Sequence, residues 1–194
     1  MIKIIYIDTE TTGFDAVKNA TIQLAAILDV DGVELSRFDI SMKPFEGAVV
    51  SEDALKVSGN TLETIAEFMA EAEAFAAFVE WLKVGEVLCP GVAEFAGYYN
   101  PFNARFVAAL FARNEADFSE FFRTPSAEFD VLAIARRKAS KFAVPNHKLG
   151  TIATHILGAE AMTKFTEVNG LHNAMTDIEV TRALHLAFKA QVAE

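Results

Sequence analysis

The stretch that most limits how this chain folds is its opening, MIKIIYIDTETTG. An apolar run from Ile2 to Ile7 predicts a β-strand buried on both faces, and it passes with no polar lead-in into Asp8, Thr9 and Glu10. Side chains alternate along a strand, so Asp8 and Glu10 share a face, roughly 7 Å apart along the backbone and within reach of one or two common cations. Left unpaired at the edge of a core, two carboxylates repel each other and are costly to desolvate. A strand end with a solvated acidic turn fits these residues equally well, so the choice rests on the rest of the chain.

Two more strand-like runs follow, 21 to 30 (TIQLAAILDV) and 33 to 42 (VELSRFDISM), joined across Asp31-Gly32, a hairpin signal. Together with the first strand they predict a sheet of three strands or more. A short helix is expected from Ser51, its cap, to Val57, with Gly59 as its stop. Helical spacing of Phe68, Phe75, Phe78, Val79 and Leu82 predicts a helix over 62 to 84. Residues 94 to 98 read as a strand that runs into a helix from about Pro101 to Arg113, and further helices are expected at about 129 to 141, 147 to 157 and 173 to 192. No low-complexity linker interrupts the pattern, so residues 1 to 194 read as a single domain.

Composition narrows the function classes. A hydrophobic content of 52% with 17 Phe supports a compact core, and no apolar run approaches the ~18 residues of a membrane span. The N-terminus lacks a secretory pattern and the single cysteine, Cys89, has no partner for a disulfide or a thiolate metal site, which predicts a cytoplasmic protein with no membrane association. A net charge of −10 opposes bulk attraction to nucleic acid, so a polyanionic substrate requires a local basic patch or bound cations.

Two helices carry polar residues on apolar stripes. At 100° per residue, Asn103 falls in line with Phe106, Val107 and Leu110, which fits either a structural amide at a helix start or a member of a site. In the last helix, Asp177 shares a stripe with Val180, Thr181, Leu184 and Phe188, and a carboxylate facing a core needs a cation, a metal or a proton. His172 lies five residues earlier, beyond Gly170, and is expected to hang from the loop over the place Asp177 faces, a geometry that suits a general base beside a metal.

Asp8-Thr9-Glu10 after an apolar strand, Asn100-Pro101-Phe102-Asn103 at a helix start, and His172 followed four residues later by Asp177 resemble the three motifs of the DEDDh 3′–5′ exonucleases, the DnaQ-like family. The similarity extends through TIQLAAILDVDG, Lys43-Pro44, ALKVSGNT, FDVLAIAR and NHKLGTIATHILG. The resemblance implies an α/β, ribonuclease H-like fold whose central mixed five-stranded sheet is flanked by helices. It also implies two divalent ions, Mg²⁺ or Mn²⁺, with Asp8 bridging both, Glu10 and Asp177 binding one, and Asn103 in the fourth position. His172 then takes the proton of the attacking water, a task suited to an imidazole. Two positions depart from the pattern: Asn103 stands where the family usually has Asp, and Gln23 where many members have Glu. The first removes a negative charge from the metal cluster.

Candidate substrate contacts are Thr9, Thr11, Phe14, Asn100 and Lys164; Phe14 fits a stacking partner for a terminal base and an ordinary surface aromatic equally well, and Arg105, Arg136 to Lys138 and Lys148 are either further phosphate contacts or a solvated basic face. The leading expectation is an exonuclease acting at the 3′ end of single-stranded DNA, alone or with a DNA polymerase. An exoribonuclease on short RNA and a catalytically weak nucleic-acid-binding module are the alternatives. His172 speaks against the last, because a binder needs no general base.

Overall fold

The structure, a computed structural model, describes residues 1–138 and 144–191. Strand β1 (Lys3–Thr11) lies inside a four-stranded sheet with β2 (Thr21–Val30), β3 (Val33–Ser41) and β4 (Glu94–Ala96), in the order β3-β2-β1-β4. β1, β2 and β3 are antiparallel neighbours, and β4 adds parallel to β1. The β2–β3 turn has both central residues at positive φ, Asp31 at 52° and Gly32 at 90°, as a two-residue hairpin needs. Helices α1 (Glu52–Val57), α2 (Leu62–Ala66), α3 (Glu71–Leu88) and α4 (Asn100–Arg113) precede α5 (Val131–Lys138), α6 (Leu149–Leu157), α7 (Ala159–Thr166) and α8 (Ala174–Ala190).

Alternation along β1 sorts the layers. Ile5 and Ile7 pack against Phe75 and Phe78 of α3 and Val107, Leu110 and Phe111 of α4. Ile4 and Tyr6 face the other way, onto Ala174 and Ile178 of α8, and α8 in turn carries a second core with α5, α6 and α7. Residues of even number on β1, Asp8 and Glu10 among them, therefore belong to the α8 face.

The expected fifth strand is absent among the described residues. The segment beyond α4 touches the outer edge of β4 through two isolated parallel bridges, Ala93 to Phe122 and Gly97 to Asp130. Between them the outer segment spends eight residues where the inner one spends four, so the excess, which includes Pro125, loops out and no ladder forms. The helix predicted over 62 to 84 is broken for a comparable reason. Met69 bridges to Met42 and its carbonyl accepts from Lys43 N at 2.7 Å, so a tertiary backbone contact separates α2 from α3. The strand expected over 94 to 98 ends at Ala96, and α7, with a three-residue 3-10 turn at Phe118–Glu120, has no counterpart in the sequence pattern. Positions 139 to 141 of the helix expected over 129 to 141, and residue 192 of the last helix, lie outside the described residues.

Helix α8 is fixed to the sheet by buried polar contacts. Tyr6 Oη and His185 Nδ1 share a hydrogen bond of 2.8 Å, and burial lowers the His185 pKa to about 4 while raising that of Tyr6, so the pair is neutral. Arg182 Nε donates to Asp29 Oδ2 at 2.8 Å and its Nη2 to the Gly32 carbonyl at 2.9 Å. The Asp29 side chain is fully buried. Removing the guanidinium would strand that charge, so Arg182→Ala is expected to cost about 3–5 kcal/mol of stability in urea denaturation. A loss of about 0.5 kcal/mol, typical of surface changes, would show that α8 does not depend on the pair.

Candidate active site

The site forms because β4 stops early. β4 pairs with β1 only as far as Tyr6 to Ala96, and beyond that point the β1 edge is open. Asp8 and Glu10 lie on this final stretch, opposite Ala25 and Gln23 of β2. The first turn of α8 brings Asp177 over the same face, and one carboxylate oxygen each from Asp8, Glu10 and Asp177 lie within 4.8 Å of one another. The helix start is held by Asn173, whose side chain accepts from Thr176 N at 3.3 Å, and by Gln23 Oε1, which accepts from Ala174 N at 3.2 Å. Gln23 also donates to Asp39 at 2.9 Å, so it ties β3, β2 and α8 together beside Glu10. The helix dipole favours Asp177 in this first turn.

Burial and mutual repulsion dominate the electrostatics. The Asp8 carboxyl is held well above its ordinary range, first by desolvation and then by Asp177 and Glu10. Desolvation and the Asp177 charge push Glu10 up to about 7. Asp177 rises to about 6 through desolvation, with His172 opposing the rise. Three oxygen donors that cannot all ionise cheaply fit a divalent cation, which would remove the repulsion and accept their hard ligands.

Asn103 completes the group from the other side. It is 2% exposed, and its Nδ2 donates to Asp8 Oδ1 at 2.9 Å and to the Ile7 carbonyl at 3.3 Å, while its Oδ1 accepts from Thr9 Oγ1 at 2.9 Å. Gly97 makes this approach possible, since a Cβ there would come within 2.8 Å of the Ile7 carbonyl oxygen. Tyr99, at φ 68°, then turns the chain into α4.

His172 sits in the loop before α8 at φ 64°, a strained conformation for a side chain other than Gly. Its backbone N–H donates to Asp177 Oδ1 at 3.3 Å. Both residues line a cleft of about 1280 Å³, whose walls include Phe14, Tyr99, Lys148 and Leu171. Phe14 is 86% exposed at the cleft mouth, edge-on to Phe102, whose ring is in turn stacked with Tyr99.

The other candidate contacts are placed differently. Thr9 and Thr11 are buried, with hydroxyls engaged by Asn103 and by the Gly13 carbonyl. Asn100 is buried beneath the start of α4 and donates to the Phe95 carbonyl at 2.9 Å. Lys164 pairs with Glu160 on the exposed side of α7, while Thr163 and Thr166 of that helix line the cleft. Of the basic candidates, Lys148 is the one on the cleft wall; Arg105 donates to Pro101 O and Lys138 to Phe188 O, outside it. Tyr98, Tyr99 and Leu171, absent from the sequence-based candidates, line it as well, and an aromatic pair directly before Asn100 was the available signal.

A mixed sheet with helices on both faces, and carboxylates from its first strand and last helix gathered at one open edge, is the arrangement of a ribonuclease H-like exonuclease. A family model described as an exonuclease, RNase T, matches residues 5–184, and the chain belongs to this DnaQ-like, DEDDh-type 3′–5′ exonuclease family. It is 28% identical over 189 residues to a PolC-type DNA polymerase III of Latilactobacillus sakei, covering 96% of this chain and 11% of the polymerase. Among solved structures it is similar to E. coli exonuclease I in complex with a 5cy-dA13 oligonucleotide, at a TM-score of 0.70 and 20% identity over 98% of this chain and 41% of that one. The zinc-bound form of an E. coli exonuclease I complex with single-stranded DNA gives 0.71 and 20%, over 100% of this chain and 42% of that one. The chain thus spans less than half the length of these relatives.

The raised acids set a pH dependence. In the unfolded chain Glu10 titrates near 4.5, but in the folded protein it titrates at about 7. Between these values the folded state binds more protons, so this group's contribution to stability falls as pH rises. Melting temperatures without metal are expected to fall between pH 5 and 7.5, and the gain on adding Mg²⁺ to grow over the same window, because cation and protons compete for the carboxylates. A pH-independent Mg²⁺ gain would contradict a cation site at these acids.

Proposed function

We propose that this chain is a divalent-metal-dependent 3′–5′ exonuclease that hydrolyses phosphodiester bonds at the 3′ end of single-stranded DNA. The observation that carries this reading is the convergence of Asp8, Glu10 and Asp177 within 4.8 Å, with His172 beside Asp177 in a cleft large enough for a nucleic-acid strand. The three carboxylates would hold the cation, and an all-oxygen donor set suits Mg²⁺ or Mn²⁺. When bound, the metal supplies positive charge at the phosphate and makes water more acidic.

The remaining work falls to the chain itself. His172 receives a proton from the water that attacks the terminal phosphorus. The bond from phosphorus to the 3′ oxygen of the preceding nucleotide breaks, and a nucleoside 5′-monophosphate leaves. The strained backbone at His172 keeps its N–H on Asp177, so base and ligand are positioned together. Phe14 and Tyr99 offer aromatic faces to the terminal bases, and Lys148 offers a charge to the backbone. Thr9, Thr11 and Asn100 act from beneath, by holding Asn103 and the turns around it. DNA is favoured over RNA by the single-stranded DNA in the exonuclease I complexes, and a polymerase partner by the likeness to a PolC-type polymerase.

Digestion of 5′-labelled DNA and RNA oligonucleotides of one sequence tests the proposal. A ladder shortening from the 3′ end, Mg²⁺-dependent and faster on DNA, is expected. Asp8→Ala should abolish it, and His172→Ala should slow it by ~10² to 10⁴-fold. Full activity in Asp8→Ala would end the metal mechanism, and faster digestion of RNA would reassign the substrate.

A further inference from the structure

We infer that the Asn103 amide takes the place of a second cation at Asp8, so that without nucleic acid this site accepts one divalent ion and not a pair. The inference rests on the metal-dependent reading above and concerns how this chain's own residues set the ion count. The amide has one fixed direction. Nδ2 faces the Ile7 carbonyl, which can only accept, at 3.3 Å, and donates to Asp8 Oδ1 at 2.9 Å. Turning the amide over would set Oδ1 against the Ile7 carbonyl oxygen, so the donor orientation is fixed by its surroundings. The oxygen end is engaged as well, because the Thr9 hydroxyl donates to it at 2.9 Å. At 2% exposure, the buried side chain is held at both ends by these hydrogen bonds, and its oxygen is not free to turn toward a cation.

A carboxylate at position 103 would face the same Ile7 carbonyl and Asp8 carboxylate, and would need a cation or a proton between them to be tolerated. The amide meets that need with two N–H donors and so occupies the Asp8 lone pair on the α4 side. An Asp8 oxygen also lies within 4.8 Å of oxygens of Glu10 and Asp177, where one ion can be shared. Charge points the same way, because one divalent ion leaves three carboxylates with one net negative charge and two ions would leave an excess positive charge in a desolvated pocket. Gln23 adds no acid on the Glu10 side, since its amide is used on Asp39 and the start of α8. Both amides therefore lower the number of ions the site requires while keeping its side chains ordered.

Asn103 is thus a positioning residue that orients Asp8 for a single ion. Calorimetric titration of the full chain with Mn²⁺, with free Mn²⁺ counted by paramagnetic resonance, reads the stoichiometry directly. One ion per chain is expected, and two per chain in Asn103→Asp. The same substitution should lower the melting temperature in chelator and raise the gain on adding Mn²⁺, whereas a merely structural amide would lower it equally with and without metal. Two ions in the unsubstituted protein would overturn the inference and leave the metal site intact. One ion in both forms would also overturn it. No ion at all in the unsubstituted protein would instead remove the metal-dependent reading on which it stands.

Discussion

The mutual repulsion of three half-buried carboxylates is the constraint around which this structure is arranged. Asp8 and Glu10 are placed by the pleat of one strand, Asp177 by the first turn of a helix more than 160 residues later, and the three meet within 4.8 Å. A fold gains nothing from such an arrangement unless something else removes the charge. The surrounding residues confine the cost instead of avoiding it. Asn103 donates to Asp8, the His172 backbone donates to Asp177, and Gln23 fixes the α8 start beside Glu10 without adding a charge. The chain as a whole is acidic, with a net charge of −10, so attraction for a polyanion has to be created locally.

Rigid attachment of α8 is what lets this local chemistry persist. Tyr6 and His185 join the strand to the helix on the face that carries Asp8, and Arg182 anchors the same helix to Asp29 and the β2–β3 turn. These contacts lie one and two turns beyond Asp177, so a shift of the helix along the sheet would break them before it separated the acids. The early end of β4 is the complementary device. By leaving the Ile7 carbonyl unpaired in the sheet, it gives Asn103 an acceptor, and Gly97 supplies the room.

Much of this was legible in the sequence because it depends on local periodicity. Alternation put Asp8 and Glu10 on one face, the 100° stripe put Asp177 among core residues that are indeed buried, and Asp31-Gly32 marked the hairpin. What was not legible depends on contacts between distant segments. The break between α2 and α3 comes from Met69 bridging to Met42, against a helical pattern that runs through it. The missing fifth strand comes from four surplus residues facing β4, which no periodicity reports. In the site, motif position alone could not reveal that Thr9, Thr11 and Asn100 point inward, or that Lys164 is on the outer side of α7. The direction of the Asn103 amide likewise follows only from the Ile7 carbonyl that it meets.

The exonuclease reading stands or falls with Asp8, Glu10 and Asp177 acting together as a cation site. Diffraction from crystals grown with Mn²⁺, recorded at the manganese absorption edge, tests it most directly. An anomalous peak within bonding distance of carboxylate oxygens of all three residues is expected. A peak elsewhere, or no peak between the three carboxylates in saturating Mn²⁺, would rule the site out.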